Sequence, residues 1–168
     1  MHYHQSRSIV SNKNYTLIIK LPFGVVGVRE ENNVLKSLEF LPDTTKEKKA
    51  VTKLAASVTS QLQAYLSDPL AFIFELPVKK QGTAFQQKVW HALEKIPAGK
   101  VMTYGELAKQ LNTGARAVGN ACRHNPVPLL VPCHRIVSGK GLGGFAGDRH
   151  AGWTRIKRWL LAHEGYSI

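Results

Sequence analysis

The sequence predicts an α+β protein in two parts: an α/β half with a small antiparallel sheet over residues 1–76, and a mainly helical half over residues 77–168 that carries a helix-turn-helix. Three observations predict it. Three β-branched-rich runs lie close together near the start, split by turn residues. One long amphipathic helix follows them. Beyond Pro77-Val78-Lys79-Lys80-Gln81-Gly82, which reads as a linker, two capping boxes open short helices.

The elements follow in order. Tyr15–Lys20 and Gly24–Arg29 flank Leu21-Pro22-Phe23, the pattern of a hairpin, and Asn32-Asn33 is a turn signal before a third strand over Val34–Phe40. From Ala50 to Leu66 the residues Leu54, Val58, Leu62 and Tyr65 recur at helical spacing, and Ser67-Asp68-Pro69 ends that helix. Phe72–Leu76 reads as a short extended segment. Thr83-Ala84-Phe85-Gln86 caps a helix whose apolar face is Phe85, Val89, Trp90, Leu93 and Ile96. Thr103-Tyr104-Gly105-Glu106 caps a second, with Leu107, Ala108 and Leu111. After Asn112-Thr113-Gly114 a third runs from Ala115 to His124, with Ala117, Val118, Ala121 and Cys122 on one side. Two short helices joined by a three- to four-residue turn have the shape of a helix-turn-helix. A last helix over Gly152–His163 turns Trp153, Ile156, Trp159 and Leu160 inward and Arg155, Lys157 and Arg158 outward.

Charge points to a polyanionic partner. The 168 residues carry a net charge of +12, unevenly spread: residues 1–80 hold 11 Lys+Arg against 7 Asp+Glu, and residues 81–168 hold 12 against 4. A cationic half attracts nucleic acid, DNA above all. No apolar run approaches the ~20 residues that span a bilayer, and the first residues lack the apolar core of a signal peptide, so a cytoplasmic protein (nuclear in a eukaryote) without a membrane partner is expected. Two cysteines do not make a disulfide scaffold.

The segment Asn125-Pro126-Val127-Pro128 to Pro132-Cys133-His134-Arg135 carries the chemistry. Three prolines in seven residues stiffen the approach to one thiol, and a thiol beside an imidazole is a candidate nucleophile with a base. A free cysteine is otherwise a small buried apolar residue. Adjacent residues of a strand face opposite ways, so direct Cys133–His134 pairing requires a turn, a bridging water or another histidine. Gly119, inside a helix, allows close approach of another backbone. Cys122, His124, Cys133 and His134 lack zinc-ligand spacing, and no metal is expected.

These motifs resemble the O6-alkylguanine-DNA alkyltransferases, the methylated-DNA–protein-cysteine methyltransferase family. GTAFQQKVW, IPAGKVMTYGELA, ARAVGNA, NPVPLLVPCHRIV, GGFAG and KRWLLAHEG occur in that order over nearly ninety residues, while LPFG, LEFLP and QLQAYL match more loosely. The resemblance implies the two-part fold, a (winged) helix-turn-helix, no cofactor, and a monomer that acts on double-stranded DNA containing O6-alkylguanine, with O4-alkylthymine as a further candidate. It implies that Cys133 accepts the alkyl group once and irreversibly. His134 would take the thiol proton through a water, Glu164 would orient His134, Tyr104 would donate to the guanine ring, and Asn125 would hold the turn. Arg116 would enter the base stack as the target nucleotide flips out. Thr103, Ala115, Gly119, Arg123 and Arg135 would contact DNA, and Ile136, Phe145, Ala146 and Gly147 would line the alkyl pocket. Phe145-Ala146 stands where relatives often carry Tyr-Ser, so a hydroxyl is missing there. Two competing readings are a lesion-binding or regulatory helix-turn-helix protein without transfer, and a cysteine hydrolase, which would turn over.

Overall fold

A computed structural model describes residues 14–143 and 151–167. β1 (Leu17–Leu21), β2 (Gly24–Glu31) and β3 (Val34–Leu41) form an antiparallel sheet in the order β1-β2-β3. A two-residue turn at Pro22-Phe23 joins the first pair, with Leu21 opposite Gly24. Asn32 and Asn33 join the second pair with φ of 53° and 62°. Two successive left-handed residues make the turn whose twist matches a hairpin, and asparagine tolerates that geometry. Alternation sorts the side chains. Leu17, Val26, Val28, Leu35 and Leu38 enter the main core, while Tyr15, Ile18, Val25 and Leu41 form a small cluster on the other face. Gly27 makes room there, because a Cβ would lie 2.7 Å from both Leu41 and the Tyr15 ring.

α1 (Lys53–Ser67) starts three residues later than expected because Thr52 caps it, accepting from Ala55 N at 3.0 Å. Its buried stripe is Ala55, Val58, Leu62 and Tyr65, with Ala55 in place of Leu54. The segment after it joins no sheet. The Gln61 amide acts as a strand partner instead, accepting from Glu75 N at 2.8 Å and donating to Glu75 O at 2.9 Å. The expected linker is pinned to β3: Leu35 N donates to Pro77 O and Lys79 N to Leu35 O.

α2 (Ala84–Leu93), α3 (Tyr104–Gln110) and α4 (Ala115–Arg123) form the helical part. Both capping boxes are made, Thr83 with Gln86 and Thr103 with Glu106. Phe85 differs from expectation: it is 36% exposed, and α2 buries Val89, Trp90 and Leu93. At the second helical position, beside the cap, Phe85 lies off that stripe. Trp90 is fully buried and its Nε1 donates to Ala121 O at 2.8 Å, fixing α2 on α4. Asn112, at φ 54°, turns the chain between α3 and α4, completing the helix-turn-helix.

Two strands too short to leave a periodic signal, β4 (Met102–Thr103) and β5 (Ile136–Val137), pair in parallel and tie the helix-turn-helix to the segment after Cys133. α5 (Ala151–His163) packs back on the sheet, with Trp153 6.0 Å from Phe40 and Trp159 5.4 Å from Phe23 between ring centroids. One apolar core therefore runs from Leu17 to Leu160. Lys157 corrects the sequence expectation: it is fully buried on α5, not outward.

Trp90→Phe takes the indole donor from the Ala121 carbonyl, leaving it the longer bond from His124 N at 3.2 Å, and removes part of a fully buried ring. Urea denaturation should show a loss of about 1–3 kcal/mol. A loss below about 0.5 kcal/mol would mean that the bond does not hold α2 on α4.

Candidate active site and DNA-facing helix

The approach to Cys133 is built by Asn125. Its Nδ2 donates to Val131 O at 2.8 Å, its Oδ1 accepts from Val127 N at 3.0 Å, and Nδ2 also reaches Cys133 Sγ at 3.3 Å. One side chain thus spans the loop and touches the thiol. Leu129 sits at φ 76°, a conformation costly for a branched side chain that the flanking bonds enforce. Leu38 N on β3 donates to Pro126 O, anchoring the loop to the sheet.

Cys133–Arg135 forms a single 3₁₀ turn. Three residues per turn rotate successive side chains by about a third of a circle, so neighbours need not face opposite ways as in a strand. Cys133, His134 and Glu164 are all buried. His134 Nε2 lies 2.7 Å from Glu164 Oε1. A carboxylate only accepts, so Nε2 carries the hydrogen and Nδ1 presents a lone pair. Nδ1 is buried and has no partner among the described residues.

Glu164 closes α5. Gly165 at φ 85° ends the helix, with Gly165 N donating to Ala162 O and Tyr166 N to Leu161 O, a Schellman stop. The carboxylate also takes Arg135 Nη2 at 2.8 Å and Nε at 3.1 Å, and the Tyr65 hydroxyl at 3.1 Å. Arg135 Nη1 donates to Ile96 O at 2.7 Å. The Arg135 side chain is only 13% exposed and bound to Glu164, so it faces that carboxylate rather than a DNA phosphate.

Burial raises the pKa of the Cys133 thiol, against the pull of the Asn125 bond and the Lys157 charge. Burial also lowers the pKa of the His134 imidazole, against Glu164. The pair therefore rests as neutral thiol and neutral imidazole. Burial alone would raise the Glu164 carboxyl, but bonds from His134 and Arg135 overcome it and hold the group at about 2. Lys157 was not found from the sequence. Burial lowers its pKa to about 8, its Nζ donates to Ile136 O at 2.5 Å, and it lies 5.8 Å from the Tyr104 ring. The available signal was its spacing: seven residues before Glu164, on the stripe with Trp153 and Leu160.

Tyr104 opens α3, and burial pushes its phenol pKa up, so it keeps its proton. Its ring lies against Gly119 on α4, 3.8 Å from where a Cβ would stand, and against Gly143 at 3.1 Å. A Cβ at Gly119 would meet that ring in ordinary contact, so the neighbour of Gly119 is the Tyr104 ring rather than another backbone. On α4, Ala115, Arg116 and Arg123 are exposed. The Thr103 hydroxyl is occupied as the α3 cap, accepting from Glu106 N. Ile136 is fully buried. Phe145, Ala146 and Gly147 lie outside the described residues. Among the described residues no group of three His, Cys, Asp or Glu is placed to hold a metal, and no helix is long and apolar enough to cross a membrane.

Fold and site define a class: α+β proteins in which a helix-turn-helix stands against a buried thiol, imidazole and carboxylate. Residues 84–166 match the 6-O-methylguanine DNA methyltransferase, DNA binding domain family. The chain is 43% identical over 114 residues to the methylated-DNA–protein-cysteine methyltransferase of Shigella flexneri, a match that spans 66% of this chain and 64% of that protein's length. It is 39% identical over 158 residues to the protein of the same name from Methanosarcina mazei, covering 89% of this chain and 96% of that one. The crystal structure of Mycobacterium tuberculosis OGT in complex with DNA is similar, with 36% identity, a TM-score of 0.72, and coverage of 88% of this chain and 90% of that one. The chain belongs to the methylated-DNA–protein-cysteine methyltransferase family.

Glu164 and His134 both bind fewer protons folded than unfolded. Glu164 is depressed from 4.5 to about 2, so its stabilisation is complete above about pH 4.5 and is lost as pH falls towards 2. His134, depressed below its ordinary 6.5, acts in the same direction at higher pH in both proteins compared below. Between about pH 5 and about pH 3, wild type should lose about 2 kcal/mol more than Glu164→Gln in urea denaturation. Parallel pH profiles would contradict the buried, ionised Glu164.

Proposed function

We propose that this protein repairs DNA by moving the alkyl group, methyl above all, from O6-alkylguanine directly and irreversibly to Cys133. The observation that carries the proposal is the buried thiol beside an imidazole whose Nε2 is locked by Glu164 and whose Nδ1 lone pair is unpartnered. The relatives' name, which joins methylated DNA to a protein cysteine, supports the same reading.

The chemistry runs in one displacement. The thiol proton passes through a bridging water to His134 Nδ1, and Glu164 stabilises the imidazolium, in the logic of a hydrolase triad. Cys133 sulfur forms the new bond to the alkyl carbon while the carbon–O6 bond breaks. The electron pair stays on the guanine, where Tyr104 donates to the ring. Lys157 adds positive charge beside the sulfur as it loses its proton. The product is a thioether, and nothing in the site hydrolyses it, so each molecule acts once. O4-alkylthymine offers the same electrophilic carbon and is a further candidate substrate.

The target must leave the base stack, because Cys133 is buried. Arg116, exposed on α4, would fill the gap, and the exposed Ala115 and Arg123 of the same helix would meet the DNA with it. Residues 77–168 carry this chemistry and residues 1–76 support it, with the protein acting as a monomer on double-stranded DNA.

Cys133→Ala should abolish transfer from an O6-methylguanine duplex and keep duplex binding in a gel-shift assay. Retained transfer would overturn the mechanism, and lost binding in a folded variant would make the thiol part of recognition. Arg116→Ala should slow repair of duplex about tenfold or more while leaving reaction with free O6-benzylguanine within about twofold. Equal slowing on both would remove its role in flipping.

A further inference from the structure

Tyr65 on α1 lies 99 residues before Glu164 in sequence, yet its hydroxyl meets that carboxylate at 3.1 Å. The ring is 2% exposed and held on two sides, by Phe74 at 5.7 Å and by His163 at 5.7 Å. His163 is itself stacked on Trp159 at 4.7 Å. A ring wedged in this way aims its hydroxyl in one direction. A buried phenol needs an acceptor, and the one it finds is Oε1, the oxygen that also accepts from His134 and Arg135. Glu164 therefore divides one oxygen among three donors from two places: Tyr65 on α1, and His134 and Arg135 on the 3₁₀ turn.

We infer that Tyr65 is a positioning residue of the transfer site, through which the N-terminal α1 fixes the Glu164 carboxylate and limits its pull on His134. The inference rests on the alkyl-transfer reading for its consequence in rate. The physical reason is competition. Each donor to Oε1 stabilises the negative charge there and leaves less of it to stabilise an imidazolium. Removing the Tyr65 hydroxyl while keeping its ring should make Glu164 a stronger acceptor for His134 and make the imidazole more basic. The other charges that bear on the pair are Arg135 from the 3₁₀ turn and Lys157 from α5, both of which disfavour the imidazolium. His163 meets the Tyr65 ring edge-on.

The test compares wild type with Tyr65→Phe. The His134 ring is titrated by NMR, its signals assigned by their loss in His134→Gln, and single-turnover transfer from an O6-methylguanine duplex is measured over the same pH range. The His134 midpoint should rise by about half a unit to one unit, a three- to tenfold gain in proton affinity, and the acid limb of the transfer rate should move with it. Thermal unfolding followed by circular dichroism confirms that the variant is folded. A midpoint that moves by less than about 0.2 unit in the folded variant overturns the inference and leaves Tyr65 a packing residue. The NMR reading needs no transfer. A wild type that moves no methyl group would overturn the alkyl-transfer reading, while the titration would still decide whether Tyr65 tunes the pair.

Discussion

The buried Glu164 carboxylate is the constraint on which the site depends. An anion taken out of water is costly unless donors surround it, and a bare one would simply take a proton. Here His134, Arg135 and Tyr65 supply the donors, and the group stays ionised. Meeting that demand joins distant parts of the chain: the end of α5, the 3₁₀ turn, α1, and through Arg135 the Ile96 carbonyl beyond α2. The same bonds set the hydrogen of His134 on Nε2 and leave a lone pair on the buried Nδ1. The electrostatics of one carboxylate thus explain both the joining of these segments around the site and the tautomer of His134.

A second constraint is the neutral resting state. A thiolate–imidazolium pair in so dry a place would be expensive, and burial keeps Cys133 and His134 uncharged. A thiol kept protonated is a weaker nucleophile than a thiolate and reacts more slowly with oxidants and electrophiles. Lys157 is the counterweight. Its ammonium, whose pKa burial lowers to about 8, favours negative charge on Cys133 against the cost of burial.

Much of this was legible in the sequence because it is written locally. The capping boxes at Thr83 and Thr103 and the Asn32-Asn33 turn each act through bonds within a few residues, so their patterns survive without tertiary context. The proline-rich approach to Cys133 is local as well. What was not legible depends on distant partners. Lys157 looks like an outward residue until the carbonyl of Ile136 and the two thiols are placed beside it. Arg135 reads as a phosphate ligand until Glu164 is brought to it from 29 residues away. Tyr65 reads as ordinary core, and its hydroxyl gains meaning from a residue 99 positions on. β4 and β5, at two residues each, are too short for any periodicity, and Phe85 shows that an apolar residue in the first turn of a helix need not share its buried face.

The most direct measurement is the mass of the Cys133 peptide after incubation with a duplex oligonucleotide containing one O6-methylguanine. The account predicts a gain of one methylene, confined to that peptide, at one per protein molecule and with no further turnover in excess substrate. An unmodified Cys133 peptide, whether the guanine remains methylated or is demethylated catalytically, would contradict it.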